Sequence, residues 1–349
     1  AWPGGAVDLS IGTPTDPPPT AVLQVLASAD ETGAVRGYPP SIGTESLRRA
    51  ITEWTQHRLG VDLPLDAVAV CVGTKEFVGT LPQWLKLRTP DRNTILYPAV
   101  SYPTYEMGAV LAGLRGVAVP VDANFHMRLD AISDDDASRA LALWVNSPGN
   151  PAGQLEDLAQ AAEWGRDRGV PVFSDECYIE FTWDGPARTI LSSGLDGVVS
   201  VHSLSKRSNL AGLRLGWYAG DPELVQYLRE VRKHVGMMVP GPVQQAGVAA
   251  LADQTHVDTQ RDRYRERLVR IQQILVGLGV DAPFPGGAFY LWAPAPEGDA
   301  WGFAERLAVD GGVLVSPGDI YGAAGAGYVR IALVRPLDSL ELVASRLGV

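Results

Sequence analysis

Short apolar segments recur along residues 68–219 of this 349-residue chain, and most of them are followed by polar residues or glycine. The segments are continuously apolar rather than alternating. This indicates strands buried on both faces, as in a parallel sheet covered by helices. Ligands of such sheets bind beyond the carboxyl ends of the strands, so the polar residues there are the first site candidates. We predict strands over residues 68–72, 94–96, 117–120, 140–145, 170–173, 198–201 and 215–219.

The pattern changes after residue 221, where long helices and short, separated strands are predicted. The predicted helices cover residues 21–29, 43–59, 222–233, 258–278 and 337–347, and the additional strands cover residues 288–292, 313–316 and 328–333. Helix 258–278 is heavily charged, so we expect it on the surface. The predicted fold class is α/β. A large domain of residues 33–232 holds the sheet, and an N-terminal segment, residues 1–32, contributes to a smaller α+β domain of residues 233–349.

Composition argues against several classes of function. The formal net charge of -11 and the pI of about 5.0 disfavour nucleic acid and anionic membranes as partners. We find neither an apolar span of membrane length nor a signal-peptide pattern, so we expect a cytoplasmic protein. The two cysteines give no disulfide framework. The five histidines are scattered without metal-ligand spacing, so no metal site is predicted.

The segment around Lys206 carries the strongest chemical signal. Two hydroxyl residues, Ser203 and Ser205, precede this lysine at the end of a predicted strand, and Arg214 follows eight residues later. Hydroxyls and a guanidinium fork suit a phosphate group. A lysine held beside a phosphate suits a cofactor that carries both an aldehyde and a phosphate, which describes pyridoxal phosphate. Taken alone, a lysine after a strand is more often an ordinary surface residue.

Three further residues fit the ring of such a cofactor. Asp175 follows a predicted strand, and a buried carboxylate there would keep a pyridine nitrogen protonated. Tyr178, three residues later, and Asn150 could both hydrogen-bond the phenolic oxygen of the cofactor. The alternatives are a helix cap for Asp175 and a plain turn for Asn150-Pro151.

Other positions could hold the phosphate and the face of the ring. Gly73-Thr74-Lys75 lies between a predicted strand and a helix, where backbone amides suit an anion. Tyr102 is the candidate for stacking on the ring, with Tyr105 in that role or a core position for Tyr102 as alternatives.

Arg330 is the candidate for binding a substrate carboxylate. It lies in the otherwise apolar segment 328–333, where an unpaired arginine is costly. A bidentate carboxylate of an amino acid is a suitable partner for it. The alternative is an internal salt bridge.

Together these motifs resemble the class I/II aminotransferases of fold-type I, and the resemblance runs nearly end to end. Ser203-Leu204-Ser205-Lys206 resembles the Ser-x-Ser-Lys motif of the family, which implies that Lys206 forms the Schiff base and moves the proton. The resemblance implies that Arg214 holds the phosphate. It also implies that the enzyme is a homodimer with shared active sites.

The remaining roles are also implied by the resemblance. Asn150 matches the Asn-Pro-x-Gly turn, and Asp175 with Tyr178 matches the Asp-x-x-Tyr pair of the family. Arg330 corresponds to the arginine that binds the α-carboxylate of the substrate. Gly12 resembles a glycine whose amide faces the substrate, and Tyr38 resembles a tyrosine that reaches the cofactor phosphate of the partner subunit.

A narrower resemblance concerns the substrate. The segments 9–14, 73–77 and 207–212 resemble bacterial N-succinyldiaminopimelate aminotransferases of lysine and diaminopimelate biosynthesis. This implies amino transfer between glutamate and a keto acid with a distal carboxylate. Lys75 matches a position where related enzymes hold a lysine near that carboxylate, and the alternative is a solvated lysine at a helix start.

The sequence is also compatible with other functions. One is an aminotransferase of different specificity, for example for aspartate, and another is a C–S β-lyase with the same cofactor. A cofactor-sensing module of a transcription regulator is disfavoured, since only eleven residues precede Gly12 and the chain has no basic patch. A binding protein without a cofactor would leave the polar strand ends unexplained.

Overall fold

The computed structural model describes residue 2 and residues 4–349. Within them the helices are α1 (Thr20–Ala27), α2 (Glu45–Leu59), α3 (Thr74–Arg88), α4 (Thr104–Leu111), α5 (Asp134–Arg139), α6 (Leu158–Arg168), α7 (Leu204–Arg207), α8 (Pro222–His234), α9 (Gly241–Ala252), α10 (Thr255–Gly277), α11 (Ala300–Gly311) and α12 (Leu337–Leu347). The strands are β1 (Val7–Asp8), β2 (Val68–Cys71), β3 (Thr94–Pro98), β4 (Arg115–Val119), β5 (Ala140–Asn146), β6 (Val172–Asp175), β7 (Val198–Ser203), β8 (Gly216–Gly220), β9 (Tyr290–Pro294), β10 (Val313–Leu314), β11 (Ser316–Pro317) and β12 (Tyr328–Ala332).

The seven predicted strands of residues 68–219 form one sheet in the order β2-β8-β7-β6-β5-β3-β4. Strands β3 to β7 pair in parallel, which confirms the predicted α/β class with a mostly parallel sheet. Strand β8 runs antiparallel to both of its neighbours. For β8 to run parallel to β7, the connection between them would have to lead back along the roughly 20 Å length of β7. The only α-helix in this connection is the four-residue α7, which extends about 6 Å, so β8 runs antiparallel instead.

Both faces of this sheet are covered over its central strands, as the continuously apolar segments predict, whereas the edge strand β4 is largely exposed. Neighbouring residues of one strand point to opposite faces, so Val172 and Val198 pack in one core cluster, while Phe173 and Val199 pack in another. Because β5, β6 and β7 are adjacent and parallel, their carboxyl ends lie side by side. Each of these ends carries a polar residue after buried apolar ones.

The C-terminal part has its own core. Strands β9, β11 and β12 form an antiparallel sheet, and β1 pairs in parallel with β10, which attaches the start of the chain to this part. Val22 of α1 and Ala246 of α9 instead pack in a core cluster of the large sheet. The division into two domains stays a prediction. Its bounds place α1 and α9 outside the large domain, whereas their packing associates both helices with the large sheet.

Among the helices that differ from the prediction, α9 and α10 show the limits of local patterns. Helix α9 was not predicted, because its glycine, proline and alanine residues give no clear apolar stripe. Helix α10 buries Tyr264, Leu268 and Ile271, and it also buries Arg267, which pairs with Asp16 at 2.7 Å, so the surface assignment was only half correct. Among the described residues, no helix is both long and apolar enough to span a membrane.

Candidate active site

A cavity of about 430 Å³ lies at the carboxyl ends of the large sheet, where the N-terminal segment and the C-terminal part meet it. The position agrees with the expectation for ligand sites in open α/β sheets. The predicted site residues that line it are Gly12, Thr74, Lys75, Tyr102, Asn150, Asp175, Tyr178, Ser203, Ser205, Lys206, Arg214 and Arg330. Two predicted site residues are not part of the lining. Gly73 directly precedes the lining residue Thr74, and Tyr38 lies outside the cavity.

Lys206 is placed by the short helix α7 at the end of β7. The hydroxyl of Ser203 caps this helix by accepting a hydrogen bond from the amide of Ser205 at 3.1 Å. The Nζ atom of Lys206 donates to the carbonyl oxygen of Gly12, which comes from the N-terminal segment. Burial lowers the pKa of Lys206 to about 8, and the nearby charges of Arg330 and Arg214 act in the same direction. About a tenth of this amine is therefore neutral, and nucleophilic, at pH 7, far more than for an ordinary lysine.

Asp175 lies at the end of β6 and is 6% exposed. Its carboxylate accepts hydrogen bonds from the hydroxyl of Tyr105 at 2.9 Å and from the amide of Cys177 at 3.2 Å. Burial raises the pKa of Asp175 despite these bonds. A cationic group bound in the cavity would stabilise the charged carboxylate, so the site is suited to a protonated ring nitrogen.

The start of helix α3 forms an anion cradle. Gly73 precedes the helix with a φ of 75°, and no side chain caps the first amides. A Cβ atom at this position would lie 2.2 Å from Nη2 of Arg214, so a side chain cannot be placed there without moving the guanidinium. Free amides at a helix start and an adjacent guanidinium suit a phosphate group.

Arg330 on β12 occupies the opposite end of the cavity. Its Nη1 donates to Oδ1 of Asn150 at 2.8 Å, and its Nη2 donates to the carbonyl oxygen of Ser10 at 2.6 Å. Its Nε is buried and has no partner among the described residues, and no described carboxylate pairs with this guanidinium. The alternative of an internal salt bridge is therefore wrong, and a carboxylate from a ligand could accept from the Nη hydrogens that Asn150 and Ser10 leave free.

Tyr102 lines the cavity, whereas Tyr105 does not. The ring of Tyr105 is fully buried and stacks on Trp144 at 5.1 Å, so it offers no free face to a ligand. Lys75 is exposed at the start of α3 and lines the cavity. Tyr38 is 96% exposed, and its role at the site of a partner subunit stays a prediction.

Several residues that line this cavity were not predicted, among them Asn146, Tyr290 and Tyr321. Asn146 holds the following loop by accepting from the amide of Asn150 at 2.7 Å and donating to the carbonyl of Asp175 at 2.8 Å. Its position directly after a predicted strand was a signal that could have identified it. The two tyrosines reach the site through packing that no local motif indicates.

Outside the cavity, a serine, a histidine and an aspartate form a second polar group, with residue types that can also form a catalytic triad. Nε2 of His256 lies 2.8 Å from the hydroxyl of Ser208, and its Nδ1 lies 3.0 Å from Asp253. Ser208 is 1% exposed and also accepts from Arg207 at 3.2 Å, so a substrate could not reach it. These bonds attach α10 to the chain after Lys206. Among the described residues, no cluster of side chains could hold a metal ion.

Comparison with known proteins agrees with this geometry. A family model described as aminotransferase class I and II matches residues 5–347. A 4-dedimethylamino-4-oxo-anhydrotetracycline transaminase of Streptomyces rimosus is 41% identical over 99% of this chain and 94% of its own length. An LL-diaminopimelate aminotransferase of Aquifex aeolicus is 34% identical, over 98% of this chain and 90% of its own. The solved structure of a probable N-succinyldiaminopimelate aminotransferase from Thermus thermophilus superimposes with a TM-score of 0.90 at 33% identity, covering 98% of this chain and 94% of that one.

Proposed function

This chain belongs to the class I and II aminotransferases, and we propose that it transfers the amino group between glutamate and a second acid that carries a distal carboxylate. The favoured second substrate is N-succinyl-LL-2,6-diaminopimelate, an intermediate of lysine and diaminopimelate biosynthesis. One observation carries this choice. Among the described residues, four cationic side chains line the cavity and form no ion pair with a carboxylate of this chain. Lys206 and Arg214 are assigned to the cofactor, so Arg330 and Lys75 are left for two substrate carboxylates.

Pyridoxal phosphate is the cofactor of this family, and the residues present fit it. We assign its phosphate to the start of α3, the two serines and Arg214, and its ring nitrogen to Asp175. When bound, the cofactor supplies an aldehyde carbon that takes up the amino group and a ring that accepts the electrons of the broken Cα–H bond. Tyr102 is assigned to the face of the ring, and Asn150 and Tyr178 are assigned to its phenolic oxygen.

Lys206 is the proposed base and acid of the reaction. Its lowered pKa of about 8 leaves a neutral amine available to take the α-proton at Nζ and to return it to the cofactor side. The carbonyl of Gly12, which accepts from Nζ, restricts where this amine can lie. The negative charge of Asp175 keeps the ring nitrogen protonated, so that the ring can accept electrons.

Arg330 orients the amino acid. The hydrogens of Nη1 and Nη2 that Asn150 and Ser10 do not use can donate to a carboxylate in a bidentate arrangement. Fixing the α-carboxylate at one end of the cavity and the amino group at Lys206 leaves the α-hydrogen near the lysine amine. Lys75 then remains for a second carboxylate.

A panel of amino donors tests the function. Purified holoenzyme is mixed with glutamate, aspartate, alanine, N-succinyl-diaminopimelate or cystathionine, and the conversion of the cofactor absorbance to that of its amine form is followed by stopped flow. We expect glutamate and the succinylated donor to react fastest. Release of pyruvate and ammonia from cystathionine, without conversion by glutamate, would instead identify a β-lyase.

Replacing Lys75 by alanine tests the distal-carboxylate assignment. We expect kcat/KM for glutamate to fall about 5-fold and that for alanine to remain unchanged, because only glutamate has a second carboxylate and the lysine is solvent-exposed. Lys233→Ala is the matched control, since Lys233 is an exposed lysine that does not line the cavity. Equal effects on both amino acids would remove Lys75 from substrate recognition.

A bulkier keto substrate is the second candidate. The similarity to the transaminase of Streptomyces rimosus favours it, as do two exposed apolar residues that line the cavity, Ile11 at 61% and Ile320 at 50% exposure. Such side chains suit an apolar ring system better than a second charge. An anhydrotetracycline ketone offered to the amine form of the enzyme separates the two. Reaction with it, but not with 2-oxoglutarate or the succinylated keto acid, would favour this candidate.

We also propose that the enzyme is a homodimer in which Tyr38 reaches the cofactor phosphate of the partner subunit. Its 96% exposure on the single chain leaves the whole side chain available for such a contact. Sedimentation equilibrium should give twice the chain mass of 37.3 kDa. Mixing inactive Tyr38→Ala and Lys206→Ala subunits should then restore part of the activity, because one site per mixed dimer has both residues. A monomer, or no recovery in mixed dimers, would exclude this role.

A further inference from the structure

Tyr290 on β9 connects the two ends of the cavity. Its hydroxyl lies 2.8 Å from the hydroxyl of Tyr178, and its ring centre lies 4.3 Å from the guanidinium carbon of Arg330. The side chain is 1% exposed, so both contacts are shielded from bulk water. A buried, fixed aromatic ring can hold a hydrogen-bonding group and a cation at the same time.

The surroundings show that this position is tightly constrained. A Cβ atom on Gly12 would lie 2.1 Å from the hydroxyl oxygen of Tyr290, so the N-terminal segment can approach only because residue 12 is glycine. The same glycine accepts from Nζ of Lys206 through its carbonyl oxygen. Tyr290 therefore contacts Tyr178 and Arg330 directly and lies against Gly12, the residue whose carbonyl holds the Lys206 amine.

We propose that Tyr290 is a positioning residue that tunes the proton affinity at Lys206 through Tyr178 and orients Arg330 for the substrate carboxylate. The inference depends on the proposed function, because it assigns Tyr178 to the phenolic oxygen of the cofactor. If Tyr178 donates to that oxygen, its own oxygen must accept the hydrogen of Tyr290. Hydrogen bonds in such a chain strengthen one another, so Tyr290 makes Tyr178 a better donor.

The second role concerns the guanidinium. Arg330 lies between the rings of Tyr290 and Tyr321, with centre distances of 4.3 and 4.7 Å. These two faces restrict the plane of the guanidinium, while Asn150 and Ser10 restrict its rotation within that plane. The Nη hydrogens that Asn150 and Ser10 leave free are thereby held in a fixed direction before a carboxylate binds.

Tyr290→Phe separates the two roles, because it removes the hydroxyl and keeps the ring. The pH midpoint of the visible absorbance of the holoenzyme should rise by about 0.5 unit, since a weaker donor at Tyr178 leaves the phenolic oxygen more basic and the proton near the Lys206 nitrogen more firmly held. The dissociation constant of succinate, measured by calorimetry, should stay within about 2-fold, because phenylalanine keeps the cation–π contact.

Tyr290→Leu removes the ring as well, and succinate should bind about 5-fold more weakly. Tyr178→Phe should raise the same absorbance midpoint, and adding Tyr290→Phe to it should have little further effect, because both changes act through one hydrogen-bonded chain. Tyr264→Phe is the control. Tyr264 belongs to the same buried aromatic cluster but does not line the cavity, so its midpoint and succinate affinity should match those of the wild type.

The outcomes separate a failure of the proposed function from a failure of the role proposed for Tyr290. A wild-type protein without a visible absorbance band, or one that no amino donor converts, would overturn the proposed function itself. A normal wild type with an unchanged midpoint in Tyr290→Phe, or with additive effects of Tyr178→Phe and Tyr290→Phe, would overturn the role of Tyr290 alone. If Tyr290→Phe folds poorly in a thermal melt, the midpoint of Tyr290→Leu, which also lacks the hydroxyl, still decides the question.

Discussion

Replacing Lys206 by alanine is expected to abolish the absorbance band of the Schiff base that Lys206 forms with pyridoxal phosphate and to lower kcat by roughly 10⁴-fold or more. The variant loses both the amine that attaches the cofactor and the group that moves the α-proton. Burial makes the amine suitable for both tasks, because it lowers the pKa of Lys206 to about 8. Absorbance spectra before and after reconstitution, followed by single-turnover kinetics with glutamate, measure the two losses separately.

Lys206→Arg is the matched control for charge. Arginine keeps a positive charge at the same place but remains protonated, so it can neither attach the cofactor nor take a proton. We therefore expect Lys206→Arg to be as inactive as Lys206→Ala. An arginine variant with substantial turnover would mean that Lys206 acts only through its charge, and an unchanged spectrum in either variant would remove Lys206 from the cofactor site.

Replacing Asp175 by asparagine is expected to lower kcat/KM about 100-fold. The amide has nearly the same shape but no charge, so it cannot hold a proton on the ring nitrogen. The electron-accepting capacity of the ring then falls. The half-reaction with glutamate, followed at several pH values, measures this effect at the step where the α-proton is removed.

A graded comparison tests the physical reason for this loss. Tyr105 donates to Oδ2 of Asp175, and Tyr105→Phe removes that donor while the ring stays stacked on Trp144. Losing a hydrogen bond to the charged form raises the pKa of Asp175 further, so we expect a decrease about one tenth as large as that of Asp175→Asn. If Tyr105→Phe were as damaging as Asp175→Asn, the aspartate would be acting through its hydrogen bond with Tyr105 rather than through its charge.

Local patterns predicted the parts of this protein that are made within short stretches of chain. A continuously apolar strand followed by a polar residue is a local signal, and for this reason Asp175 and Lys206 were found together with the strands that carry them. The glycine before α3 was equally predictable, since a helix start that binds an anion needs free amides and little side-chain bulk. The role of each residue remains a proposal, although the cavity brings most of them together.

Residues that reach the site by long-range packing could not be predicted in this way. Tyr290 lies in a segment predicted as a strand, yet nothing local shows that its hydroxyl meets Tyr178, 112 residues earlier in the chain. That meeting depends on the register of β9 against β12, which pairs Tyr290 with Ala332 and Trp292 with Arg330. A register is set by the packing of a whole face, and a shift by one residue would turn both aromatic side chains away.

The amino-acid sequence by itself determined the mostly parallel sheet and the polar groups at its strand ends, because burial on two faces and the change to polar residues are properties of single segments. Only the tertiary structure decided that Gly12 meets Lys206, which lies 194 residues away, and that Arg330 has a buried Nε with no partner in the described chain. Such contacts depend on how separate segments pack against each other. That packing results from many weak apolar contacts acting together, and no single motif encodes it.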